Sequence, residues 1–273
     1  LIAMRDGKVI SHRFTIVEGW NMRDLRSALA RATPLKQKAS QLDDSALMKE
    51  IGRAGQHPEG RFLPETYQYT GGDTDVDVLK RAAEAMDKAV SAAWQARDKD
   101  SVLKTPAELL IMASIVEKET GIPDERSQIA GLFERRLRLG MKLETDPTVI
   151  YGIGAGYDGN IRKRDLLTDT PYNTYTRTGL PPTPIAMPGR AALKATANPA
   201  PGDALFFVAS GDGSGRSLFA ATYAQHQANV RVYLQRYRQN QTRGQPEEGK
   251  AVLEEATEAP NAAPAPATPG ATR

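Results

Sequence analysis

The sequence predicts an α+β protein in which helices dominate and the β-sheet is small. Three observations predict this fold class. Several helices are marked by capping residues that are followed by apolar positions at helical spacing. A short strand precedes the first of these helices, and a glycine-rich turn joins two further strands. The final segment, 242–273, consists mostly of Ala, Pro, Glu and Thr, so we expect it to be disordered.

The amino-acid composition excludes several classes of protein function. The chain has 273 residues, of which 40% are hydrophobic and 25% charged, as in an ordinary globular protein. The net charge is only +3, and no basic stripe with interleaved aromatics is present, so nucleic acid is a poor candidate partner. The absence of cysteine excludes disulfides and thiol catalysis. No apolar run approaches the roughly 18 residues that span a bilayer. The start at Leu1 leads us to expect that an upstream segment has been removed.

The first 60 residues predict a small module of a strand and a helix. Residues 13–17 have the composition of a short strand, and Asn21 is placed to cap the helix that follows. The apolar side of that helix is formed by Met22, Leu25, Ala28 and Leu29. The next stretch, 61–67, is rich in loop formers, and we interpret it as a linker or as a loop that lines a groove.

Three helices are predicted after this module. An amphipathic pattern covers about 75–98. The next helix starts with Thr105 as N-cap, Pro106 in the first turn and Glu108 completing a capping box. A third helix runs from about Asp124 to Leu139, where Gly140 ends it. We interpret its arginines at 135, 136 and 138 as solvated surface rather than as a site for an anionic polymer.

The second half of the chain predicts a long loop region and then a hairpin packed on a helix. Asp146 followed by proline indicates the start of another short helix. Residues 152–190 have no clean periodicity, and a loop of this length is typical of a binding region. Residues 204–209 and 216–220 are predicted to form a hairpin across the glycine-rich turn. A last helix is predicted at about 222–240.

Glu119 is the most interesting carboxylate of the helix that begins at residue 106. In helical projection it falls within the arc formed by apolar side chains, whereas Lys118 points to the opposite side and Glu117 lies near the other border of the arc. Burial there would raise the pKa of the Glu119 carboxyl, as a general acid requires. The alternative is a helix-end carboxylate that reaches water or pairs with Lys118 or a nearby arginine.

Other polar side chains are weaker candidates. Asp146 is interpreted as an N-cap rather than a catalyst, and Glu144 as either a second acid or an exposed strand end. The run Asn173-Thr174-Tyr175 could hold a sugar, although asparagine is also common in turns. The three histidines lack metal-ligand spacing, so no metal site is predicted.

Several segments together resemble one protein family, the YceG-like endolytic murein transglycosylases. The segments that carry the resemblance are Ala113–Thr120, Leu143–Gly152, Tyr172–Tyr175 and Gly179–Gly189. The resemblance extends over roughly residues 13–240, and Phe14–Leu29 is similar to the end of a LysM-like subdomain. It implies a partial LysM-like subdomain with linker in residues 1–60, a catalytic domain in 61–241 and a tail in 242–273.

The resemblance also implies an activity and a cellular location. The reaction would cleave the bond between N-acetylmuramic acid and N-acetylglucosamine within peptidoglycan strands, leaving anhydro-muramyl ends and limiting or terminating nascent strands. No cofactor is implied. The expected location is the bacterial inner membrane, with one N-terminal anchor absent from this chain and the catalytic region in the periplasm. Peptidoglycan synthases of the penicillin-binding class are expected partners.

The resemblance assigns the acid/base role to Glu119, the residue that the helical projection also selects. Asn173 and Tyr175 would position the sugar or stabilise developing positive charge, and Thr145, Asp146 and Tyr151 would shape the groove. Glu117 is grouped with these substrate-binding residues.

Two alternatives stay open: a muramidase that uses a second carboxylate, and a peptidoglycan-binding scaffold without activity. The sequence also departs from the family pattern. Thr183 stands where glycine is expected, Ser217 where histidine is frequent, and Glu144 where glutamine is frequent. These departures leave the finer roles open and do not affect Glu119.

Overall fold

The structure is a computed structural model that describes residues 10–242. Over this range it is a mixed α+β fold, as the sequence predicts. In chain order the elements are β1 (His12–Thr15), α1 (Met22–Ala30), α2 (Asp44–Glu50), β2 (Thr66–Tyr69), α3 (Asp75–Gln95), α4 (Pro106–Glu119), α5 (Arg126–Arg138), α6 (Asp146–Ile153), α7 (Lys163–Leu167), α8 (Arg190–Ala197), β3 (Phe206–Ala209), β4 (Ser217–Ala220) and α9 (Tyr223–Thr242). Apart from residue 242, which ends α9, the predicted disordered tail lies outside the described residues.

The N-terminal module is a two-stranded antiparallel sheet covered by α1. Strands β1 and β2 pair with Phe14 opposite Tyr67. The predicted cap of α1 is confirmed, because the Asn21 side chain accepts hydrogen bonds from the backbone N–H groups of Arg23 and Asp24. The interpretation of residues 61–67 as loop is wrong at its end, where β2 begins. This strand is only four residues long, and it is stabilised by a partner strand from the start of the chain.

Two hydrophobic cores meet along helix α3. The first half of α3, Val76–Ala83, packs into the N-terminal core together with Phe62 and the tyrosines of β2. The second half contributes Met86, Ala89 and Val90 to the core that surrounds α4. The N-terminal core therefore continues beyond residue 60, and α3 joins the two cores through one continuous helix.

Helix α4 is the central element of the second core. The Thr105 hydroxyl accepts from the backbone N–H of Glu108, which confirms the predicted N-cap. The Glu108 carboxylate instead accepts from the backbone N–H of Lys104. All residues from Leu109 to Val116 are buried, so the helix is enclosed on every side rather than on one apolar face. Its neighbours are α3, α5, α6 and α8, and this packing fixes the position of its last turn.

A hairpin packs against α5, and the terminal helix packs on that hairpin. The predicted hairpin is confirmed as β3 paired with β4, and Val208, Val230 and Tyr233 form a small core between the hairpin and α9. The interpretation of the α5 arginines as solvated surface is wrong for Arg136, which is 6% exposed. Within the described part of the chain, no helix combines the length and the apolar character required to cross a membrane.

Candidate active site

Glu119 is the last residue of α4 and is half-buried beside the start of α6. The hydroxyl of Thr145 donates a hydrogen bond to Glu119 Oε1. Thr145 itself is 2% exposed, so this contact lies at the inner edge of the loop region. The carboxyl predicted to act as acid/base thus has a specific partner, which limits the directions in which it can point.

Thr145 is positioned by Thr174, from a distant part of the loop region. Its backbone N–H donates to Thr174 Oγ1 at 3.0 Å, and the neighbouring Glu144 N–H donates to the Thr174 carbonyl at 3.2 Å. The hydroxyls of Thr148 and Thr174 lie 2.9 Å apart and share a hydrogen bond. Thr145, Thr148 and Thr174 therefore form one buried polar unit directly behind the Thr145–Glu119 contact.

Arg136 fixes the chain immediately before Thr145. Its Nη1 donates to the carbonyls of Lys142 and Leu143 and lies 3.1 Å from the Glu144 carboxylate. Glu144 has a φ of 48°, a left-handed conformation that is uncommon for a non-glycine residue. The Glu144 side chain is therefore engaged by a buried guanidinium, and its backbone turns the chain so that Thr145 reaches Glu119.

Asn173 organises the loop that carries Thr174. The side chain is 1% exposed. Its amide nitrogen donates to the carbonyls of Asp165, Leu166 and Thr168, at distances between 2.7 and 3.2 Å. Its amide oxygen accepts from the Tyr175 backbone N–H at 2.8 Å. These polar atoms bind the protein backbone, so the geometry gives Asn173 a positioning function behind the surface of the site.

Asp146 and Tyr175 form a second pair beside Thr145. The Tyr175 hydroxyl donates to Asp146 Oδ1 at 2.8 Å. Burial raises the pKa of the Asp146 carboxyl, and the Tyr175 hydrogen bond offsets part of that rise. The interpretation of Asp146 as an N-cap is wrong: α6 begins at Asp146 itself and Thr145 occupies the cap position. The carboxylate is drawn to the Tyr175 phenol instead of the helix backbone.

Glu117 is directed away from this cluster of contacts. One of its carboxylate oxygens accepts from the Gly189 N–H at 2.9 Å, and the other lies 3.7 Å from the Arg126 guanidinium. The side chain is 6% exposed. Burial raises its pKa, and the Gly189 N–H counteracts this. Its observed contacts connect the end of α4 to the start of α8.

Glu59 is a buried carboxylate that the sequence reasoning missed. It is 2% exposed, and its Oε2 accepts from the Tyr151 hydroxyl at 3.0 Å and from the Met22 N–H at 3.1 Å. Burial raises the pKa of Glu59 to about 7, and these hydrogen bonds limit the rise. The Tyr151 ring packs edge-on against Tyr172, with 4.8 Å between ring centroids. The only local signal was an acidic residue beside Gly60 in a loop-like stretch.

The site residues predicted from sequence therefore divide into three groups. Glu119, Thr145, Asp146, Asn173 and Tyr175 are joined by hydrogen bonds or by adjacency in the chain. Tyr151 belongs to the same helix as Asp146 but contacts Glu59, and Glu117 contacts a different element. A cavity of about 260 Å³ borders the first group and is lined by Pro171, Asn173, Thr174 and residues 177–182.

Known proteins with similar sequences are cell-wall enzymes by name. The endolytic murein transglycosylase of Bacillus subtilis is 31% identical over 239 residues, which cover 81% of this chain and 65% of that protein. The endolytic murein transglycosylase of Streptococcus pneumoniae (strain D39) is 32% identical over 180 residues, 64% of this chain and 32% of that protein. The chain thus spans less than two thirds of the length of either relative.

A solved structure and a family match agree with these similarities. The crystal structure of a protein described as YceG-like, from Listeria monocytogenes, superposes with a TM-score of 0.66 at 29% identity. The alignment covers 83% of this chain and 79% of that one. The YceG-like family itself matches residues 1–232, which is most of the sequence. The chain therefore belongs to the YceG-like family.

Proposed function

We propose that this protein is an endolytic lytic transglycosylase that cleaves the glycosidic bond between N-acetylmuramic acid and N-acetylglucosamine within peptidoglycan strands. The observation that carries the proposal is the contact between Glu119 and Thr145, which presents one oriented carboxyl at the edge of a long loop region. The names of the relatives support the same activity. The family resemblance supports the finer description of the bond and of the product.

Glu119 acts in both halves of the proposed reaction. Protonated Glu119 donates its proton to the glycosidic oxygen as the bond to the muramic anomeric carbon breaks. The carboxylate that remains takes the proton of the muramic C6 hydroxyl, whose oxygen closes onto the anomeric carbon. The products are a 1,6-anhydro-muramyl end and a free hydroxyl on N-acetylglucosamine. No water is consumed, and Glu119 regains its proton.

The surrounding residues support this chemistry in different ways. Thr145 orients Glu119 by hydrogen bonding to one carboxylate oxygen, and we assign Asn173 a positioning function because it fixes the loop behind Thr174. Tyr175 and Asp146 form a polar pair beside the proposed sugar site. Tyr151 and Glu117 are more remote through their observed contacts, so we propose that they shape the groove and the end of α4.

A hydrolytic muramidase is the second candidate, because Asp146 supplies a buried carboxylate next to Thr145. A hydrolase needs a second carboxylate to activate water or to act as nucleophile. Glu144 is less suited to this role, since Arg136 binds its carboxylate. In a muramidase mechanism the reaction would require both Asp146 and Glu119, whereas the transglycosylase mechanism needs only Glu119 for proton transfer.

We also propose that the reaction takes place outside the cytoplasm, on glycan strands close to the inner membrane. A single N-terminal anchor and a periplasmic catalytic region follow from the family resemblance. So does a partnership with penicillin-binding-type synthases, in which cleavage limits or terminates nascent strands.

The decisive experiment compares the parent protein with Glu119→Gln, Asp146→Asn and a control, Glu84→Gln, which changes an exposed carboxylate on α3. Each is incubated with purified uncrosslinked glycan strands, and the new ends are identified by mass spectrometry. We expect anhydro-muramyl ends from the parent and the control, and about a thousandfold lower rate for Glu119→Gln, as for loss of a general acid.

Other outcomes would contradict the proposal in distinct ways. Reducing ends made by the parent and abolished by Asp146→Asn would identify a muramidase. Equal rates for the parent and Glu119→Gln would remove Glu119 from the mechanism. Binding of glycan strands with no new ends from the parent would indicate the non-catalytic scaffold.

A further inference from the structure

Glu59 lies where three separate parts of the molecule meet. Its carboxylate contacts the first residue of α1 through the Met22 N–H and the body of α6 through the Tyr151 hydroxyl. Its Oε1 accepts from the Gly60 N–H at 3.3 Å. Gly60 has a φ of 74°, and a Cβ there would lie 2.5 Å from Pro184 Cβ. The Glu59-Gly60 pair thus joins α1, α6 and the proline-rich loop.

The contact with Met22 meets a specific need of helix α1. The first N–H groups of a helix have no partner within the helix. The Asn21 side chain serves the N–H groups of Arg23 and Asp24. The Met22 N–H is left over and is bound by Glu59, whose negative charge is also favourable at a helix N-terminus. This end of α1 is therefore a fixed anchor for the carboxylate.

The contact with Tyr151 connects Glu59, through helix α6, to the proposed catalytic residue Glu119. Thr145 is the N-cap of α6 and Tyr151 lies in its last turn, six residues later and roughly 9 Å along the helix axis. The Thr145 end contacts Glu119, and the Tyr151 end contacts Glu59. A short helix fixed at both ends cannot rotate or slide without breaking one of these hydrogen bonds.

We propose that Glu59 is a positioning residue for the reaction at Glu119: its carboxylate fixes α6 to α1 through Tyr151 and so holds Thr145 against Glu119. This inference rests on the proposed function, because it assigns Glu59 a role in that same reaction. Glu59 does not touch the substrate; it acts through α6.

The carboxylate form is required for this role. Two carboxylate oxygens accept from three donors, whereas an amide or a protonated carboxyl offers fewer acceptor positions and turns a donor toward at least one of those partners. Burial raises the pKa of Glu59 to about 7, so the acceptor form is gained as pH rises through neutrality. The charged or titratable groups around it are Asp24 on α1, Tyr151 on α6 and His57 in its own loop; the proline-rich loop presents the uncharged Pro184.

The test compares the parent with Glu59→Gln, Tyr151→Phe, the double variant and the control Glu84→Gln. Turnover of uncrosslinked glycan strands is measured at pH 5.5 and pH 8, and hydrogen exchange is measured for residues 145–153. At pH 8 we expect each single variant to lower kcat about tenfold with little change in KM, since small displacements of catalytic groups are costly. The double variant should lose no more than either single variant, because both remove the same connection.

The pH comparison separates positioning from simple loss of stability. At pH 5.5 the parent carries mostly protonated Glu59, so its advantage over Glu59→Gln should shrink towards onefold. Exchange of residues 145–153 should be faster in Glu59→Gln than in the parent at pH 8. Tyr151→Phe keeps the ring packed on Tyr172 and provides the same test if Glu59→Gln folds poorly.

The proposed function and this inference fail in different ways. A parent that produces no anhydro-muramyl ends overturns the proposed function. Exchange of residues 145–153 that is unchanged in both Glu59→Gln and Tyr151→Phe overturns the positioning role, whatever the activity. Losses in kcat that multiply in the double variant would also overturn it, because they would show independent actions of the two side chains.

Discussion

Two regions of different construction meet at Glu119. Helix α4 is held mainly by apolar contacts: every residue from Leu109 to Val116 is buried, and six of these eight residues belong to one hydrophobic core. The segment 141–189, which carries Thr145, contains only short helices and is held largely by side-chain hydrogen bonds to backbone groups. Arg136 and Asn173 each bind two or more backbone carbonyls of this segment. Glu119 lies at the end of the apolar helix α4, whereas its partner Thr145 lies in the polar segment 141–189.

The difference determines how each region responds to change. Apolar contacts are non-directional, so α4 can absorb a small change in side-chain shape at modest cost. A buried polar network depends on each donor meeting its acceptor, and removal of one member leaves the others unsatisfied. The network can therefore place Thr145 accurately, but it is the more fragile of the two regions.

The largest effect should follow from breaking the polar segment at Asn173. Asn173→Ala removes a donor that serves three carbonyls, so we expect the unfolding free energy to fall by about 3 to 4 kcal/mol. Glycan cleavage should fall at least about tenfold, because Thr174 and Thr145 lose their support. Denaturant unfolding and the rate of cleavage measure the two effects.

Asn198→Ala is the matched control for this change. Asn198 is exposed, and its amide makes one long contact of 3.5 Å with the Lys194 carbonyl. The Asn198→Ala variant should therefore keep a free energy of unfolding and a rate of glycan cleavage close to those of the parent. Equal losses in the two variants would show that Asn173 is not the organiser of the segment and that the contrast with α4 is mistaken.

A smaller effect should appear in the pH dependence of stability, through the carboxylate that links the polar segment to the N-terminal core. The pKa of Glu59 rises from 4.5 to about 7 on folding. Between these values the folded protein binds more protons than the unfolded chain, so stability is lost as pH rises through this window. At about 1.4 kcal/mol per pKa unit the loss stays below about 4 kcal/mol, and it is complete above neutrality.

Glu59→Gln isolates this contribution. The pKa values of Asp146 and Glu117 are also raised by burial, so they add slopes of the same sign in every variant. The quantity to measure is therefore the difference in unfolding free energy between the parent and Glu59→Gln at several values from pH 4.5 to 8. A difference that stays constant across this range would show that Glu59 has no unusual affinity for protons.

The contrast between the two regions also explains which features the sequence could predict. Thr105 and Pro106 mark the start of α4 locally, and helical spacing together with the family resemblance selected Glu119 as the carboxylate of interest. The contacts of the polar segment come from distant parts of the chain. The hydrogen bond between Glu59 and Tyr151 joins residues 92 apart, and that between Thr145 and Glu119 joins residues 26 apart. Local patterns carry no information about such pairs.

The errors have the same origin. Asp146 has the local signature of an N-cap, but the Tyr175 hydroxyl captures its carboxylate. Arg136 lies in an arginine-rich helix end, a pattern typical of solvated surface. Its guanidinium nevertheless donates to the backbone carbonyls of residues 142 and 143 and of Leu205. Strand β2 is too short to be recognised without its partner at the other end of the module. In each case a tertiary contact overrides a correct local preference.

The smallest expected effect concerns Thr183, where the sequence departs from the glycine of the family pattern. Its hydroxyl lies 2.9 Å from the Tyr172 hydroxyl and shares a hydrogen bond with it at the rim of the polar segment. Thr183→Gly removes this bond and adds freedom to the unfolded chain, so we expect a loss of about 1 kcal/mol in unfolding free energy. Thr183→Ser keeps the hydroxyl and should lose much less.

If serine is as destabilising as glycine, the methyl group of Thr183 matters more than its hydroxyl, and apolar packing contributes to the polar segment at its edge. If serine matches threonine, the hydrogen bond is sufficient, and the division between an apolar helix and a polar loop extends to the rim of the site.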